Sequence, residues 1–353
     1  MSKFLNEKTN KIKPYVPGEQ PKEREYIKLN TNESPFAPSK LAMQLASEES
    51  KKLYLYPDPD VKDLTTAVAD ELGVKSENVL MTNGSDEALN FAFMAYCDKN
   101  TPAVFNDITY GFYKVFAEVN DVPYVEIPLN DDFSVNVNAF LRQNGVIFIA
   151  NPNAPTGIYL ELDEIEKILN SNKNRIVVVD EAYIDFGGKS AVSLIDKYDN
   201  LIVTQTFSKS RSMAGARLGF AVANSELILD LNRIKYSTNP YNVNRMTAGA
   251  GFGAIKDKEY FVSNCKTIIE NRAFTTSELE KLGFTVTDSM TNFVFVKSDK
   301  ISGEKLYLSL KEKGVLVRHF GLDRIKDYVR VTIGSLEQMT KFIDCVKQIL
   351  EEN

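Results

Sequence analysis

Two uninterrupted runs of apolar, largely β-branched residues constrain the fold of this chain more than any other feature. They cover residues 146–150 and 176–179, and polar side chains follow each of them directly. The stretch at residues 201–206 begins in the same way. Runs without polar alternation are typical of strands covered on both faces, as in parallel sheets. Because helical patterns separate the runs, for example at residues 162–170, the sequence predicts an α/β domain whose mostly parallel sheet lies between helices.

The other elements of this domain alternate in the same way. Further strands are predicted at residues 79–82, 103–105, 124–127 and 218–223. Further helices are predicted at residues 64–72, 88–96, from residue 112 onward, and at 225–235. We assign residues 46–245 to this large domain.

The pattern changes after about residue 245. Two helical stretches are followed by strands and helices that no longer alternate regularly, which predicts a smaller α+β domain. Its elements are expected at residues 247–256, 258–282, 284–286, 292–296, 303–313, 315–318, 328–334 and 336–351. We assign residues 246–353 to this domain, together with residues 1–45, a polar and proline-rich N-terminal arm.

Charge and hydropathy exclude several classes of protein. The chain has 353 residues and a formal net charge of −6, which argues against non-specific nucleic-acid binding. The sequence has no run of about eighteen or more apolar residues, so no membrane span is expected. Because residues 1–6 lack an apolar signal core, we expect a cytoplasmic protein.

Cysteine and histidine usage limits the chemistry further. Cys97, Cys265 and Cys345 are far apart, which is typical of reduced thiols and does not match a zinc site. His319 is the only histidine, which argues against a histidine-based triad or a multi-histidine metal site. We therefore expect no metal, and an acid or base that is lysine, tyrosine, aspartate or glutamate. His319 could contact a substrate beside Arg318, but we expect it in a partly exposed loop.

Lys209 follows the strand predicted at residues 201–206. Lysine is seldom fully buried, and an amine at the end of an apolar strand can form a Schiff base with a carbonyl or with pyridoxal phosphate. Thr206, Ser208 and Arg217 carry the hydroxyl and guanidinium groups that would hold the cofactor's phosphate. The alternative is an ordinary surface lysine that follows a strand.

Gly84, Ser85 and Asp86 lie between a predicted strand and a predicted helix. A glycine turn before a helix leaves backbone N–H groups free to bind an anion. The alternative is an ordinary helix capped by Ser85 or Asp86.

Asp180 directly follows the apolar run at residues 176–179. If the cofactor is pyridoxal phosphate, a carboxylate should pair with the pyridine nitrogen and keep it protonated. Tyr183 could donate a hydrogen bond to the ring's phenolic oxygen, and Tyr110 could stack on the ring. For each of these side chains the alternative is a packing or capping role.

Taken together, these motifs resemble the fold-type-I pyridoxal-phosphate aminotransferases and, along nearly the whole chain, the histidinol-phosphate aminotransferases among them. The segments that carry the resemblance are Leu-Asn-Thr-Asn-Glu-Ser-Pro at 29–35, Tyr-Pro at 56–57, Gly-Ser-Asp-Glu at 84–87, Thr-Tyr-Gly at 109–111, Asn-Pro-Asn-Ala-Pro-Thr-Gly at 151–157, Asp-Glu-Ala-Tyr at 180–183, Thr-Phe-Ser-Lys at 206–209, Ala-Gly-Ala-Arg-Leu-Gly-Phe at 214–220 and Val-Arg-Val-Thr-Ile-Gly at 329–334.

The resemblance implies a role for each candidate residue. Lys209 would bind the cofactor's aldehyde covalently and then move a proton between the substrate Cα and the cofactor. Asp180 would pair with the ring nitrogen, Tyr183 would bond the phenolic oxygen, and Tyr110 would stack on the ring. The phosphate would be held by Gly84, Ser85, Asp86, Thr206, Ser208 and Arg217. Tyr56 would reach the phosphate of the neighbouring subunit, which implies a homodimer.

The implied substrates are a phosphorylated amino alcohol and a 2-oxo acid. Arg330, with Arg318, Tyr15 and Asn32, would bind them, because arginine suits the anionic groups that both carry. The implied reaction converts histidinol phosphate and 2-oxoglutarate into imidazole-acetol phosphate and glutamate. Alternatives on the same scaffold are threonine-phosphate decarboxylase and an aromatic or broad-range aminotransferase. A ligand-sensing regulator is a further alternative, but it would need an additional DNA-binding domain.

One position departs from the family pattern. The family has asparagine directly before Pro-Thr-Gly, where this chain has Ala154. A methyl group cannot donate a hydrogen bond to the phenolic oxygen, so Tyr183 would act alone or Asn153 would take the place of the missing donor. We expect a lower affinity for the ionised phenolic form of the cofactor.

Overall fold

The computed structural model describes residues 2–21 and 23–353. Positions 1 and 22 of the predicted N-terminal arm lie outside the described residues. The helices are α1 Glu7–Lys11, α2 Lys40–Ser50, α3 Lys62–Leu72, α4 Ser85–Tyr96, α5 Phe112–Asn120, α6 Val137–Leu141, α7 Leu162–Ser171, α8 Ser225–Thr238, α9 Arg245–Lys256, α10 Lys258–Lys281, α11 Gly303–Glu312 and α12 Leu336–Glu351. The strands are β1 Ile27–Lys28, β2 Val79–Thr82, β3 Ala103–Asn106, β4 Tyr124–Ile127, β5 Val146–Ala150, β6 Val177–Asp180, β7 Leu201–Thr206, β8 Gly219–Ala223, β9 Phe284–Val286, β10 Phe293–Ser298, β11 Val315–Leu316, β12 Arg318–His319 and β13 Val329–Thr332.

The large sheet has the strand order β2-β8-β7-β6-β5-β3-β4 in the described part of the chain. Its strands run parallel except β8, which is antiparallel to both β2 and β7. This confirms the predicted α/β fold with a mostly parallel sheet. Because β8 runs back beside β7 with Thr206 opposite Gly219, the residues after β7 and those before β8 meet at one edge of the sheet.

Helices cover both faces of this sheet, as its apolar runs require. Residues of α4, α5 and α8 pack on one face, and residues of α3, α7 and α9 pack on the other. Every residue of β5, β6 and β7 is buried. A fully buried Val or Ile side chain contributes about 1.5–3 kcal/mol, so these central strands form a rigid base for the residues at their ends.

A second, antiparallel sheet has the order β12-β13-β10-β9 among the described residues. It shares a hydrophobic core with α10, α11 and α12. β1 of the N-terminal arm pairs in parallel with β11, which ties the arm to this part of the chain. The strand predicted at residues 315–318 is divided into β11 and β12, and His319 therefore lies in β12, not in the expected loop.

The packing of α9 bears on the domain boundary. Ala250, Ala254 and Ile255 belong to the core of the large sheet. A Cβ atom on Gly253 would lie 2.7 Å from the backbone nitrogen of Ala42, so this glycine lets α9 lie close against α2. The two-domain division remains a prediction, and we propose that its boundary lies after α9, not at residue 245.

No helix in the described ranges combines the length and the hydropathy that a bilayer crossing would require.

Candidate active site

Two adjoining cavities lie at the edge where the parallel strands end, as expected for ligand sites in α/β sheets. The inner one has a volume of about 280 Å³. It is lined by these predicted residues: Ser85, Asp86, Tyr110, Asp180, Tyr183, Thr206, Ser208, Lys209 and Arg217. The outer one, which we call the mouth cavity, has a volume of about 420 Å³ and includes the predicted residues Tyr15, Asn32, Arg318 and Arg330. Lys209 and Tyr183 line both cavities.

The start of α4 is arranged as an anion site. The helix begins at Ser85, three residues earlier than predicted, and its N-cap residue is Gly84 with φ 76°. No side chain of the described residues caps this end, so the alternative of an ordinary helix capped by Ser85 or Asp86 is not supported and backbone N–H groups of the first turn remain available. A Cβ atom on Gly219 would lie 2.4 Å from the Ser85 nitrogen, so glycine is required where β8 passes this end.

Arg217 completes the anion site from the loop before β8. Its Nη2 donates a hydrogen bond to Asp86 Oδ2 at 2.9 Å, and its Nη1 lies 3.4 Å from Ser208 Oγ. A Cβ atom on Gly84 would lie 2.6 Å from Arg217 Nη2, so Gly84 provides space for the guanidinium. The Thr206 hydroxyl donates to Ser208 Oγ at 3.0 Å. Hydroxyl, guanidinium and helix N–H donors thus converge on one end of the inner cavity.

Tyr110 is held against the same carboxylate. Its hydroxyl donates to Asp86 Oδ1 at 2.7 Å. Burial and the charge of Asp86 raise the pKa of Tyr110 well above its usual value, so the phenol keeps its proton. The bond fixes the ring of Tyr110 at the wall of the inner cavity.

The amine of Lys209 lies between the two cavities. Its Nζ is 3.4 Å from the carbonyl oxygen of Thr31 and 5.8 Å from the centre of the Tyr183 ring. Glu33, which the sequence analysis did not single out, lines the inner cavity and forms an ion pair with Lys28 at 2.7 Å. Burial opposes the charged form of Glu33, but hydrogen bonds from Lys28 and Thr31 outweigh it and lower the pKa of this carboxyl.

Asp180 is buried at the end of β6, and burial raises its pKa to about 6. Tyr113 counteracts part of this shift, because its hydroxyl donates to Asp180 Oδ2 at 3.0 Å. The Thr204 hydroxyl donates to the other carboxylate oxygen at 3.2 Å. The sequence analysis missed both donors. Thr204 was identifiable in principle, since it lies opposite Asp180 in the predicted neighbouring strand, whereas Tyr113 resembles any packing aromatic residue.

Replacing Tyr113 with phenylalanine should make cofactor binding more sensitive to acid. The hydroxyl stabilises the charged form of Asp180, so its loss raises the pKa of this carboxyl further above about 6. A hydrogen bond to a charged group contributes about 1.5–3 kcal/mol, which corresponds to an upward shift of about 1–2 pH units in the midpoint. Absorbance titrations of the cofactor-free chain with pyridoxal phosphate between pH 5 and 8 measure this midpoint. An unchanged midpoint contradicts the assigned role, and Tyr124→Phe is the control.

Asn32 fixes the orientation of the Tyr183 hydroxyl. Thr332 Oγ1 donates to Asn32 Oδ1 at 3.0 Å and accepts from the Asn32 backbone N–H at 2.9 Å. The amide nitrogen of Asn32 therefore points the other way and donates to the Tyr183 hydroxyl at 2.9 Å. A hydroxyl that accepts this bond keeps its own proton to donate into the inner cavity. The structure thus brings Asn32 to Tyr183 as a positioning group.

The predicted substrate residues surround the mouth cavity. Arg330 donates from Nη2 to the carbonyl of Asn30 at 3.0 Å, and its Nε is buried without a hydrogen-bond partner among the described residues. Arg318 lies 3.3–3.4 Å from the carbonyls of Val16 and Pro17 in the N-terminal arm. Tyr15 packs on Phe112 with ring centres 4.5 Å apart. The side chains of Arg330, Arg318 and Tyr15 thus meet at this cavity.

Two predicted cofactor residues lie away from the cavities. The carboxamide of Asn153 accepts from Thr109 and donates to Ile108 and Thr156, at distances of 2.8–3.0 Å. Within the described residues Asn153 lines neither cavity, while the methyl group of Ala154 lies at both. The expectation that Asn153 replaces the missing donor therefore has no support from the geometry, because its polar atoms stabilise the loop.

Tyr56 is also remote from the inner cavity of its own chain. Its side chain is 78% exposed and stacks on Tyr241 with ring centres 4.8 Å apart. Arg245 donates to the backbone oxygens of Leu55 and Tyr56 at 3.3 and 3.2 Å. An exposed tyrosine on a fixed backbone is available for contact with another chain.

The inner cavity fits pyridoxal phosphate in each chemical respect. It offers a lysine amine for the aldehyde, a buried carboxylate for the ring nitrogen, and a donor-rich end for the phosphate. The space that Gly84 leaves for Arg217 supports the assignment of the donor-rich end to the phosphate, independently of the sequence motif.

A family model described as "Aminotransferase class I and II" matches residues 24–346. The chain is 49% identical to a protein from Brachyspira hyodysenteriae named histidinol-phosphate aminotransferase, over 99% of this chain and 100% of the relative. It is 46% identical to a protein of the same name from Clostridium acetobutylicum, over 99% of this chain and 100% of the relative.

Solved structures of similar fold include the following three. A structure titled histidinol-phosphate aminotransferase from Clostridium acetobutylicum has a TM-score of 0.85 and 25% identity, and covers 93% of this chain and 100% of that chain. One from Sinorhizobium meliloti, titled as a complex with pyridoxal-5'-phosphate, has a TM-score of 0.86 and 21% identity, over 93% and 92% of the two chains. A threonine-phosphate decarboxylase from Porphyromonas gingivalis has a TM-score of 0.79 and 22% identity, over 92% and 99%. At such low identity the last two show the fold alone.

Proposed function

The chain belongs to the aminotransferase class I and II family, and from this premise we propose that it is a pyridoxal-phosphate-dependent enzyme that exchanges an amino group between histidinol phosphate and 2-oxoglutarate. The observation that carries the proposal is the position of the Lys209 amine, which faces a cavity bounded by Asp180 and Arg217. Pyridoxal phosphate, when bound, supplies a ring that accepts electrons from the substrate Cα.

The residues of the inner cavity have distinct tasks in this proposal. Arg217, the hydroxyls of Thr206 and Ser208, and the first turn of α4 hold the phosphate. Asp180 places a negative charge against the ring nitrogen. The Tyr183 hydroxyl, oriented by Asn32, donates to the phenolic oxygen, and Lys209 moves a proton to and from the substrate Cα. Tyr110 closes one wall of the cavity.

The mouth cavity receives the substrates. Arg330 and Arg318 bind the phosphate of the amino alcohol and a carboxylate of the oxo acid in turn, because both substrates carry an anionic group. Tyr15 and the neighbouring arm residues lie over this cavity and reduce the access of water.

We propose a homodimer in which Tyr56 contacts the phosphate site of the partner. Its exposure and the bonds that fix its backbone support this role. Sedimentation measures the oligomeric state, and a fully active monomer would exclude the role of Tyr56. We also propose a cytoplasmic location, which the free thiols Cys97, Cys265 and Cys345 support.

The alternative reactions are tested by separate half-reactions of the enzyme loaded with pyridoxal phosphate, called the loaded enzyme below. Histidinol phosphate is expected to convert the bound cofactor to its amino form, which abolishes the visible absorbance band, and 2-oxoglutarate should restore the band. Phosphothreonine should release no CO₂, and phenylalanine should react more slowly than histidinol phosphate. If histidinol phosphate leaves the band unchanged while either of the other two compounds reacts, the proposed substrate is wrong.

A further inference from the structure

We propose that Asn106 recognises the N–H group of the substrate's nitrogen heterocycle, an inference that rests on the proposed function and adds a specificity-determining residue to it. Asn106 is the last residue of β3 and lines the mouth cavity. It is only 3% exposed, so its side chain is held in a defined position. The sequence analysis assigned it no role.

The orientation of the Asn106 carboxamide is fixed. Its Nδ2 donates to the carbonyl oxygen of Ile127 at 3.2 Å. Only the nitrogen end of an amide can donate to a carbonyl, so Oδ1 must point away from Ile127. In residues 2–21 and 23–353 no group donates to Asn106 Oδ1, and this oxygen is not sealed from solvent. Polar atoms of buried side chains normally have a partner, and a bound substrate can supply this one.

The other polar groups on the same wall are already satisfied. Asp107 Oδ1 accepts from the backbone N–H groups of Ile108 and Leu129 at 2.9 and 3.0 Å. Its Oδ2 accepts from Arg324 at 2.8 Å. Lys114 forms an ion pair with Glu126 at 2.7 Å. Asn106 Oδ1 is therefore the acceptor that this wall offers to a ligand.

The anion-binding groups come from a different sheet. Arg318 and Arg330 belong to β12 and β13 of the small sheet, whereas Asn106 ends a strand of the large sheet. In the described part of the chain Asn30 Oδ1 also lacks a partner, but Asn30 lies beside Arg330, which donates to its carbonyl. A ligand that fills the mouth cavity can therefore place an anionic group at these arginines and an N–H donor at Asn106. An imidazole ring provides that donor, and a phenyl ring does not.

The test compares two amino alcohol phosphates that differ only in the ring, histidinol phosphate and phenylalaninol phosphate. In the loaded wild-type enzyme kcat/KM should favour the imidazole compound. Asn106→Ala should reduce this preference roughly tenfold, as expected for one hydrogen bond. Asn106→Asp keeps an acceptor oxygen but loses the Nδ2 donor that fixes its orientation, so it should restore only part of the preference. KM for 2-oxoglutarate should stay unchanged in both variants, since that substrate has no ring.

Folding is not expected to limit the experiment, because the Ile127 carbonyl also accepts from the Asp107 N–H at 3.0 Å and stays satisfied in Asn106→Ala. Asn90→Ala, in α4 and outside both cavities, is the matched control. An unchanged preference in Asn106→Ala, or an equal loss for both donors and for 2-oxoglutarate, would overturn the assignment.

A binding measurement separates this inference from the proposed function. Calorimetric titration of the loaded enzyme with histidinol and with phenylalaninol reports the ring contact without turnover. If wild-type enzyme fails to convert histidinol phosphate, the proposed reaction is wrong. Asn106 is then judged by whether Asn106→Ala removes the preference for histidinol over phenylalaninol, and equal affinities in the wild type would overturn its role.

Discussion

Replacing Lys209 with alanine is expected to lower turnover by roughly 10³-fold or more, because the same amine both binds the aldehyde and moves the proton at Cα. The hydrogen-bond partner of this amine, the carbonyl oxygen of Thr31, cannot carry a proton to the substrate. The phosphate end of the cavity is unaltered in this variant, so pyridoxal phosphate should still bind, although more weakly.

Two measurements distinguish this result from a folding defect. Borohydride should attach the cofactor covalently to the wild-type chain and not to Lys209→Ala, as mass spectrometry of tryptic peptides would show. A small primary amine added to the variant should restore part of the turnover. The control is Lys197→Ala, which removes a lysine whose side chain pairs with Glu166 at the surface. Normal turnover by Lys209→Ala, or cofactor attached elsewhere, would refute the mechanism.

Replacing Asp180 with asparagine should have two opposite effects. Turnover should fall by about 10²–10⁴-fold, because the ring nitrogen loses the charge that keeps it protonated. The cofactor-free chain should become more stable by about 1–3 kcal/mol at pH 8, since a buried carboxylate without a cation is replaced by a neutral amide. Burial raises the pKa of Asp180 from 3.8 to about 6, which is the origin of this gain.

The raised pKa of Asp180 also gives the sign of the pH dependence of stability. Between about pH 4 and pH 6 the folded chain holds a proton on Asp180 that the unfolded chain has lost, so stability falls as the pH rises. Glu181, whose pKa is raised to about 7 by burial, acts in the same direction and extends the decline to about pH 7. Asp180→Asn should make the decline between about pH 4 and pH 6 shallower and leave the contribution of Glu181, which extends from about pH 4.5 to about pH 7.

Urea unfolding of the cofactor-free chain at pH 5 and pH 8 measures these stabilities. The control is Asp196→Asn, which changes an exposed carboxyl and should alter neither turnover nor the pH dependence. A cofactor-free Asp180→Asn variant that is less stable than the wild type at pH 8 would show that the carboxylate is compensated by groups other than Tyr113 and Thr204.

The sequence predicted the strands that the apolar pattern alone determines. The runs at residues 146–150 and 176–179 correspond to the buried central strands β5 and β6, and the residues that follow β6 and β7 meet in one cavity. This succeeded because parallel strands end at a common edge, so residues at strand ends come together whatever the loops do. The direction of β8 could not be predicted in this way, because an apolar run does not specify which way a strand runs.

Other features depend on contacts between distant segments. Tyr113 bonds Asp180 across 67 positions, and Asn32 bonds Thr332 across 300. No local pattern distinguishes such residues from ordinary packing or turn residues. The start of α4 at Ser85 was missed for a different reason: a sequence rule expects a side-chain cap, whereas this helix begins at an uncapped glycine.

The reciprocal bonds between Asn32 and Thr332 limit how this protein can diverge by mutation. Asn32 has a positive φ of 56°, which few residues other than glycine and asparagine adopt readily. If Thr332 became valine, the amide could rotate and present its oxygen to Tyr183, which would reverse the direction of that hydrogen bond. We therefore expect Asn32, Tyr183 and Thr332 to change together across lineages, or not at all. A library that randomises all three positions and is selected for growth should recover combined substitutions and few single substitutions.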